Sequence, residues 1–286
     1  MKILITGDRG FIGTYLRRAL DLEKDIHYVG YDLRNGEDIR DRIKMDRLFE
    51  EHNFGMVIHL AALAGVRRGE DYPEEYTSTN ITGTRNLIEM CKKYNVKKFL
   101  FFSSSSVLGG GLDKLREDDP YGPKSFYAIT KVAGELMVKA SGLNYVVVRP
   151  FTVYGENGRP DMVVYRWINQ IKAGRPVTFY GDGDTERGYT YVGDLVRGVI
   201  DLVKAWHSNL TLHIGGNKVV KLRDLYELFE KYCRDNGIEI KISKMSLSDA
   251  DVFSSVADIG RAKKLIGYKP KAEFGDIINK ILKKEL

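Results

Sequence analysis

The chain has 286 residues, 43% apolar and 29% charged, ordinary proportions for a globular fold with a sizeable core. Its net charge of +6 comes from lysines and arginines spread among nearly as many acids, without an aromatic–basic repeat, which argues against a nucleic-acid partner. No apolar run approaches a membrane span, and the chain opens straight into Lys2-Ile3-Leu4-Ile5-Thr6, so neither a membrane segment nor a secretory leader is expected. Cys91 and Cys233 lie far apart without ligand-like spacing; they predict no disulfide framework, no metal site and a cytoplasmic location.

Strands are predicted at Ile3–Thr6, Tyr28–Asp32, Met56–Leu60, Lys98–Phe102 and Tyr145–Arg149. Each is nearly continuous in β-branched, Leu and aromatic residues, as strands covered on both faces should be. Helical patterns at Ile12–Leu22, Ile81–Tyr94 and Tyr127–Ala140 fall between them. The alternation predicts an α/β fold with a Rossmann-type, doubly wound parallel sheet. The second half is less regular. Helices are predicted at Met162–Ala173, Val196–Trp206, Leu222–Asp235 and Ile277–Lys283, with short strands near Val177–Phe179, Leu212–Ile214 and Ile238–Ile242. The expected division is a dinucleotide-binding domain over 1–152, with 192–212 packing back on it, and a smaller C-terminal α/β substrate lobe over 153–286.

The first strand runs into Thr6-Gly7-Asp8-Arg9-Gly10-Phe11-Ile12-Gly13, and a helix follows. At these spacings Gly7 permits the tight turn, Gly10 lets the main chain approach a pyrophosphate, and Gly13 lets the helix pack close to the sheet. The helix N-terminus adds free N–H groups and a partial positive charge. Asp32 ends the second strand, where an acid accepts hydrogen bonds from an adenosine ribose and favours NAD over its 2′-phosphorylated form. Arg34, two residues on, works against that preference.

Tyr127 and Lys131 are four residues apart on one face of a predicted helix, after Ser103-Ser104-Ser105-Ser106. A phenol with a pKa near 10 needs about 4 kcal/mol to ionise at neutral pH. One cation about 4 Å away supplies roughly that much at an effective dielectric near 20. Lys131 and an oxidised nicotinamide are therefore expected to make Tyr127 a usable base.

These motifs, with His59-Leu60-Ala61-Ala62, Asn80, Arg149-Pro150, Tyr191-Val192-Gly193-Asp194 and Leu265-Ile266-Gly267-Tyr268-Lys269-Pro270, resemble the NAD-dependent epimerase/dehydratase family of extended short-chain dehydrogenases almost from end to end. The resemblance implies NAD contacts at Gly7, Gly10, Phe11, Ile12, Gly13, Asp32, Asp38, Ile39, Leu60, Ala61, Ala62, Asn80, Ser103, Tyr127, Lys131 and Pro150. It implies Tyr127 as base, Lys131 as its partner on the nicotinamide ribose, and Ser104 as the hydroxyl on the sugar's 4-oxygen. Arg187 and Asp251 match residues that hold the UDP phosphates and ribose. His59 reads as a buried strand histidine.

Dehydratases of the family carry an Asp-Glu pair after the Ser/Thr, and decarboxylases a Glu nearby. Here Ser105 and Ser106 stand there, and a hydroxyl does that acid–base work poorly at neutral pH. Epimerisation remains. Ala64-Gly65-Val66-Arg67 and Thr152-Val153-Tyr154-Gly155-Glu156-Asn157-Gly158-Arg159-Pro160-Asp161-Met162 resemble UDP-glucuronate 4-epimerases. The resemblance implies carboxylate contacts from Ser105, Ser106 and Thr152 with Arg159 nearby, although Arg159 also reads as a loop residue pairing with Asp161. The expected activity is 4-epimerisation of a UDP-hexuronic acid. A UDP-glucose/UDP-galactose 4-epimerase, a nucleotide-sugar dehydratase or reductase, and an inactive NAD-sensing module are the alternatives. A homodimer through the helices at 81–94 and 127–140 is implied. The sequence departs from the family in a short segment after Asp32, in Leu108 where relatives carry Tyr, and in Gly109-Gly110-Gly111, which predicts an unusually pliant loop.

Overall fold

The computed structural model describes residues 1–111, 113–247 and 252–286. Five strands of the first half, β1 (Lys2–Thr6), β2 (His27–Tyr31), β3 (Met56–His59), β4 (Lys98–Phe102) and β5 (Tyr145–Pro150), lie in one parallel sheet. Between and around them run α1 (Phe11–Leu20), α2 (Arg42–Glu51), α3 (Val66–Asp71), α4 (Pro73–Tyr76), α5 (Thr84–Lys93) and α6 (Phe126–Lys139). The second half contributes β6 (Val153–Tyr154), α7 (Val163–Lys172), β7 (Val177–Tyr180), β8 (Glu186–Tyr191), α8 (Val192–Lys204), β9 (Leu210–Ile214), β10 (Lys218–Lys221), α9 (Leu222–Asp235), β11 (Ile242–Met245), β12 (Ser254–Ser255), α10 (Gly260–Ile266) and α11 (Phe274–Glu285).

The main sheet has six strands in the order β2-β1-β3-β4-β5-β9. Side chains alternate along each strand, and both faces are covered, which is why the strands read as unbroken apolar runs. Ile3, Ile5, Ile58, Leu100 and Val148 point into a core shared with Leu16 of α1 and Leu195, Val199 and Leu202 of α8. Leu4, Val57, Phe99 and Val147 point the other way, onto Phe49 of α2, Leu87 and Cys91 of α5 and Val138 of α6. The chain leaves β1 toward β2 on one side and returns with β3 on the other. That reversal opens a crevice at the C-terminal ends of β1 and β3, where α/β sheets take ligands.

The smaller lobe joins β8 to β10 antiparallel and to β6 and β12 in parallel, with β7 and β11 as a separate parallel pair. Trp167 and Ile168 of α7, Phe179 of β7, Phe229 of α9 and Ile278 of α11 form its own core. The α/β architecture with a doubly wound parallel sheet and a second α/β lobe agrees with the sequence reading.

Several boundaries differ for physical reasons. α8 starts at Val192, four residues before the expected position, because Asp194 in its first turn is buried and receives the N–H groups of Lys271 and Ala272. Residues 77–83 form a π-helical turn ahead of α5 that overlaps the first residues of the expected Ile81–Tyr94 helix. The strand expected at Ile238–Ile242 lies at Ile242–Met245; Ile238 and Ile240 instead pack on the lobe core. α2, capped by the Asp41 carboxylate on the N–H groups of Ile43 and Lys44, is absent from the sequence reading.

Candidate active site

β1 delivers the chain into a loop built by missing side chains. A Cβ on Gly13 would lie 2.3 Å from the Gly7 carbonyl oxygen, and one on Gly7 would lie 2.6 Å from the Ala61 nitrogen. Loop, helix and the 60–62 segment after β3 are thus in main-chain contact. Gly10 is the N-cap of α1; no side chain caps it, and no acid sits in the first turn, so the N–H groups of Phe11, Ile12 and Gly13 face the crevice mouth without a carboxylate competitor. Asp32 is buried at the end of β2, receiving the N–H of Arg9 at 3.0 Å and of Arg34 at 2.9 Å. The Arg34 guanidinium donates to the Arg9 carbonyl. Ile39 is buried against Gly83, while Asp38 chelates Arg40, whose guanidinium holds that carboxyl below its usual range. Asn80, in the π turn, accepts from Leu63 N–H at 2.8 Å and donates to the Leu63 carbonyl and to Thr130 of α6. It clamps the segment after β3 to α6. These features fit a dinucleotide: a cradle that any Cβ would fill, an open helix N-terminus and a carboxylate one strand away.

At the end of β4, Ser104 caps the short turn 105–108 and accepts the N–H of Ser106; its hydroxyl also donates to the Ser106 hydroxyl at 3.1 Å. Tyr127, in the first turn of α6, is half-buried with its ring edge-to-face on Tyr76. Burial raises its pKa; the Arg159 charge and a hydrogen bond with Ser104 pull the other way, and Asp161 opposes them. Lys131 Nζ donates to the Phe102 carbonyl at 2.8 Å and lies over the Phe101 ring, and burial pushes its pKa down to about 8. The Arg159 charge, from the other lobe, favours the Tyr127 phenolate, and its ion-pair partner Asp161 offsets it. Lys131 is held by β4, because a buried ammonium must find an acceptor.

Arg159 pairs with Asp161 through two nitrogens, as the simpler sequence reading has it, and both groups also border Gly65 and Tyr76. Gly65 has a φ of +112°, and Tyr76 donates to the Ala64 and Gly65 carbonyls. Thr152 follows β5 and accepts the N–H of Thr190 on its carbonyl. Ser105 and Ser106 are half-buried, and Pro150 closes β5. Arg187, on β8, donates to the carbonyls of Glu186 and Phe253. Asp251 lies outside the described residues. His59 is buried between the Thr6 and Thr84 hydroxyls with its pKa down at about 3, a neutral core histidine as read from the sequence.

The triple-glycine loop is pinned against the segment that follows residue 252. Gly111 N–H donates to the Ser254 carbonyl, Leu115 N–H to the Val256 carbonyl and Asp258 N–H to the Leu115 carbonyl. A Cβ on Gly109 would lie 1.9 Å from the Gly122 oxygen, and one on Gly110 would lie 2.7 Å from the Val252 Cβ. Gly109 and Gly110 serve close approach and positive φ.

The sequence profile of the NAD dependent epimerase/dehydratase family matches residues 3–215. The chain belongs to this family. NAD is therefore its cofactor, and the cradle described above is the part of the chain that fits it. Among curated relatives, a UDP-glucuronate 4-epimerase of Thermodesulfobacterium geofontis is 36% identical over 259 residues, covering 89% of this chain and 78% of the relative. Among solved structures, UDP-glucuronic acid 4-epimerase from Bacillus cereus, in complex with UDP-glucuronic acid and NAD, superposes with a TM-score of 0.90 at 31% identity, covering 99% of each chain. The UDP-glucose 4-epimerase of Thermus thermophilus in complex with NAD gives 0.88 at 25% identity over the whole of both chains.

In this epimerase/dehydratase family member the sequence reading missed one group beside Tyr127 and one beneath Ser104. Tyr76 carries no motif signal. Glu135 does: it continues the helical face of Tyr127 and Lys131 by one turn, and it is fully buried.

Proposed function

We propose that this chain is a UDP-hexuronic acid 4-epimerase, interconverting UDP-glucuronate and UDP-galacturonate through a 4-keto sugar. The observation that carries the reading is the combination of Ser104 and Tyr127, hydrogen-bonded to one another, with no carboxylate following Ser104. The names of the relatives and structural neighbours support it. Bound NAD supplies the hydride acceptor and donor for carbon 4. The protein's own part is proton handling and orientation. Tyr127 takes the 4-hydroxyl proton and returns it, with Ser104 hydrogen-bonding the 4-oxygen and Lys131 and Arg159 lowering the cost of the phenolate. Ser105, Ser106 and Thr152 hold the sugar carboxylate. Holding that carboxylate keeps its carbon–carbon bond out of line with the 4-ketone and so suppresses loss of carbon dioxide. Gly7, Gly10, Phe11, Ile12, Gly13, Asp32, Ile39, Leu60, Ala61, Ala62, Asn80, Ser103 and Pro150 line the NAD site. Arg187 holds the diphosphate.

We further assign residues 1–152 with 192–212 to NAD and most of 153–286 to the nucleotide sugar. The functional unit is a homodimer, for which Ile129 and Leu136, 48% and 51% exposed on α6, supply apolar contact. Buried, unpaired Cys91 and Cys233 support a reducing, cytoplasmic setting.

The test is incubation with UDP-glucuronate, UDP-galacturonate, UDP-glucose and UDP-galactose without added reductant, with product stereochemistry read by NMR. The acidic pair should interconvert. Faster turnover of the neutral pair would move the assignment to a UDP-glucose 4-epimerase, and a requirement for external reductant would remove epimerisation.

A further inference from the structure

Beneath the candidate reaction centre lies a buried ionic cluster that the proposed chemistry does not use. Glu135 is 0% exposed and Arg149 is 1% exposed. The Glu135 carboxylate accepts from Arg149 Nε and Nη2, both at 2.8 Å, from the Ser103 hydroxyl at 2.5 Å and from the Tyr121 hydroxyl at 2.8 Å, with Lys139 at 3.4 Å. Arg149 Nη1 donates to the Glu117 carbonyl at 3.1 Å, and the guanidinium lies over the Tyr121 ring. Burial opposes ionisation of Glu135, yet Arg149 and the hydroxyl donors hold its carboxyl below the usual range.

The cluster sits at a junction. Ser103 immediately precedes Ser104 at the end of β4, and the residue before it, Phe102, gives its carbonyl to Lys131. Arg149 is the penultimate residue of β5, three residues before Thr152. Glu135 lies one helical turn beyond Lys131 and two beyond Tyr127. One carboxylate therefore fastens together the three elements that carry the hydroxyl, the base and the carboxylate-holding threonine. A two-point guanidinium–carboxylate fork fixes angle as well as distance. A buried ion pair is weak evidence of stability, since apolar residues of the same shape often serve as well, and its best-attested use is the specification of one arrangement.

We propose that the Glu135–Arg149 pair is the positioning device of the reaction centre, setting β4, β5 and α6 in register so that Ser104, Lys131 and Thr152 face one substrate. The proposal rests on the 4-epimerase reading. Glu135 has a second effect through charge. Lys131 is faced by Tyr127 and Glu135 from its own helix, by His59 from β3 and by the Phe101 ring and Phe102 carbonyl from β4; of these, Glu135 favours the ammonium against burial.

The test compares Glu135→Gln, Arg149→Lys and the double variant Glu135→Gln/Arg149→Met with the unaltered enzyme. Melting temperature, NAD titration and kcat and KM for UDP-glucuronate across pH are measured. Glu135→Gln should lower kcat on the order of tenfold to a hundredfold with KM little changed. It should also move the alkaline limb of kcat/KM to lower pH, because Lys131 loses its proton earlier. The double variant leaves no unpaired charge and should regain melting temperature without regaining kcat or the alkaline limb. Arg149→Lys keeps the charge but not the fork, and should lose kcat while leaving that limb in place. A double variant with normal kcat and pH profile would overturn the proposal. Should neither glutamine variant fold, unaltered kcat in Arg149→Lys overturns it on its own. If the unaltered chain converts no UDP-sugar, the function fails instead, and the pair is judged by whether Glu135→Gln shifts the pH dependence of NAD affinity.

Discussion

The two ends of the cleft are made in opposite ways. The cofactor end is shaped by what is absent: glycines at 7, 10 and 13 bring main chain against main chain, and α1 begins without a cap. The reaction end is shaped by what is present, with Ser103, Tyr121, Glu135 and Arg149 gathered from four places in the chain. An added methyl group disables the first by collision. The second is disabled by removing a single atom, because a partner such as the buried Arg149 is left unsatisfied. Binding and chemistry in this fold should therefore fail separately under mutation.

The sharpest separation comes from Tyr127→Phe. It should lower kcat by about 10²–10⁴ while a fluorescence titration finds NAD affinity unchanged. Equal loss of both would mean the two ends are not independent. Next is Gly13→Val, whose side chain must enter space held by the Gly7 carbonyl and the Asp8 main chain. Overpacking of this kind costs about 1–3 kcal/mol; urea unfolding should show it, with loss of NAD retention. A smaller effect belongs to acid. His59 and His213 are buried with pKa values near 3 and 4, well below the unfolded value of about 6.5. The unfolded chain then binds protons first. Stability from these groups is complete above about pH 6.5 and falls as pH drops toward 4, with a slope approaching about 1.4 kcal/mol per pH unit for each histidine. Urea midpoints at pH 7, 6 and 5 measure it, and His59→Gln should flatten the slope. The smallest change is Gly110→Ala. It places a Cβ 2.7 Å from the Val252 Cβ and 2.8 Å from the Ser254 carbonyl oxygen at a φ of +81° and should cost upward of about 1 kcal/mol. It tests whether the reaction end contains a stretch built like the cofactor end, by missing side chains.

This contrast explains what could be read from the chain. The glycine loop, its strand and its helix are consecutive residues, and so are the Tyr127–Lys131 pair and the serine run; local spacing announces them. The strands announce themselves because a double-faced sheet demands unbroken apolar runs. The partner of Lys131 escapes the sequence because burial turns its ammonium to the Phe102 carbonyl, a main-chain group that no side-chain pattern marks. Gly109-Gly110-Gly111 suggests mobility because the segment that pins it, around Ser254 and Val256, lies more than 140 residues away. Arg149 at the end of an apolar strand is the one visible sign of the ionic cluster. Its meaning needs Glu135, whose only signal is sharing a helical face.

The placement of β9 bears on how the molecule is made. β9 is the last strand to join the main sheet, and it pairs with β5 along its full length. Residues 151–209 separate the end of β5 from the start of β9. During synthesis the outer edge of β5, including Val146 and Val148, must wait unpaired until Leu210–Ile214 leave the ribosome. An apolar edge left open in this way is a template for pairing with a neighbouring chain. The nascent protein therefore passes through a sticky interval of defined length, and chains ending shortly before residue 210 should aggregate where longer ones do not.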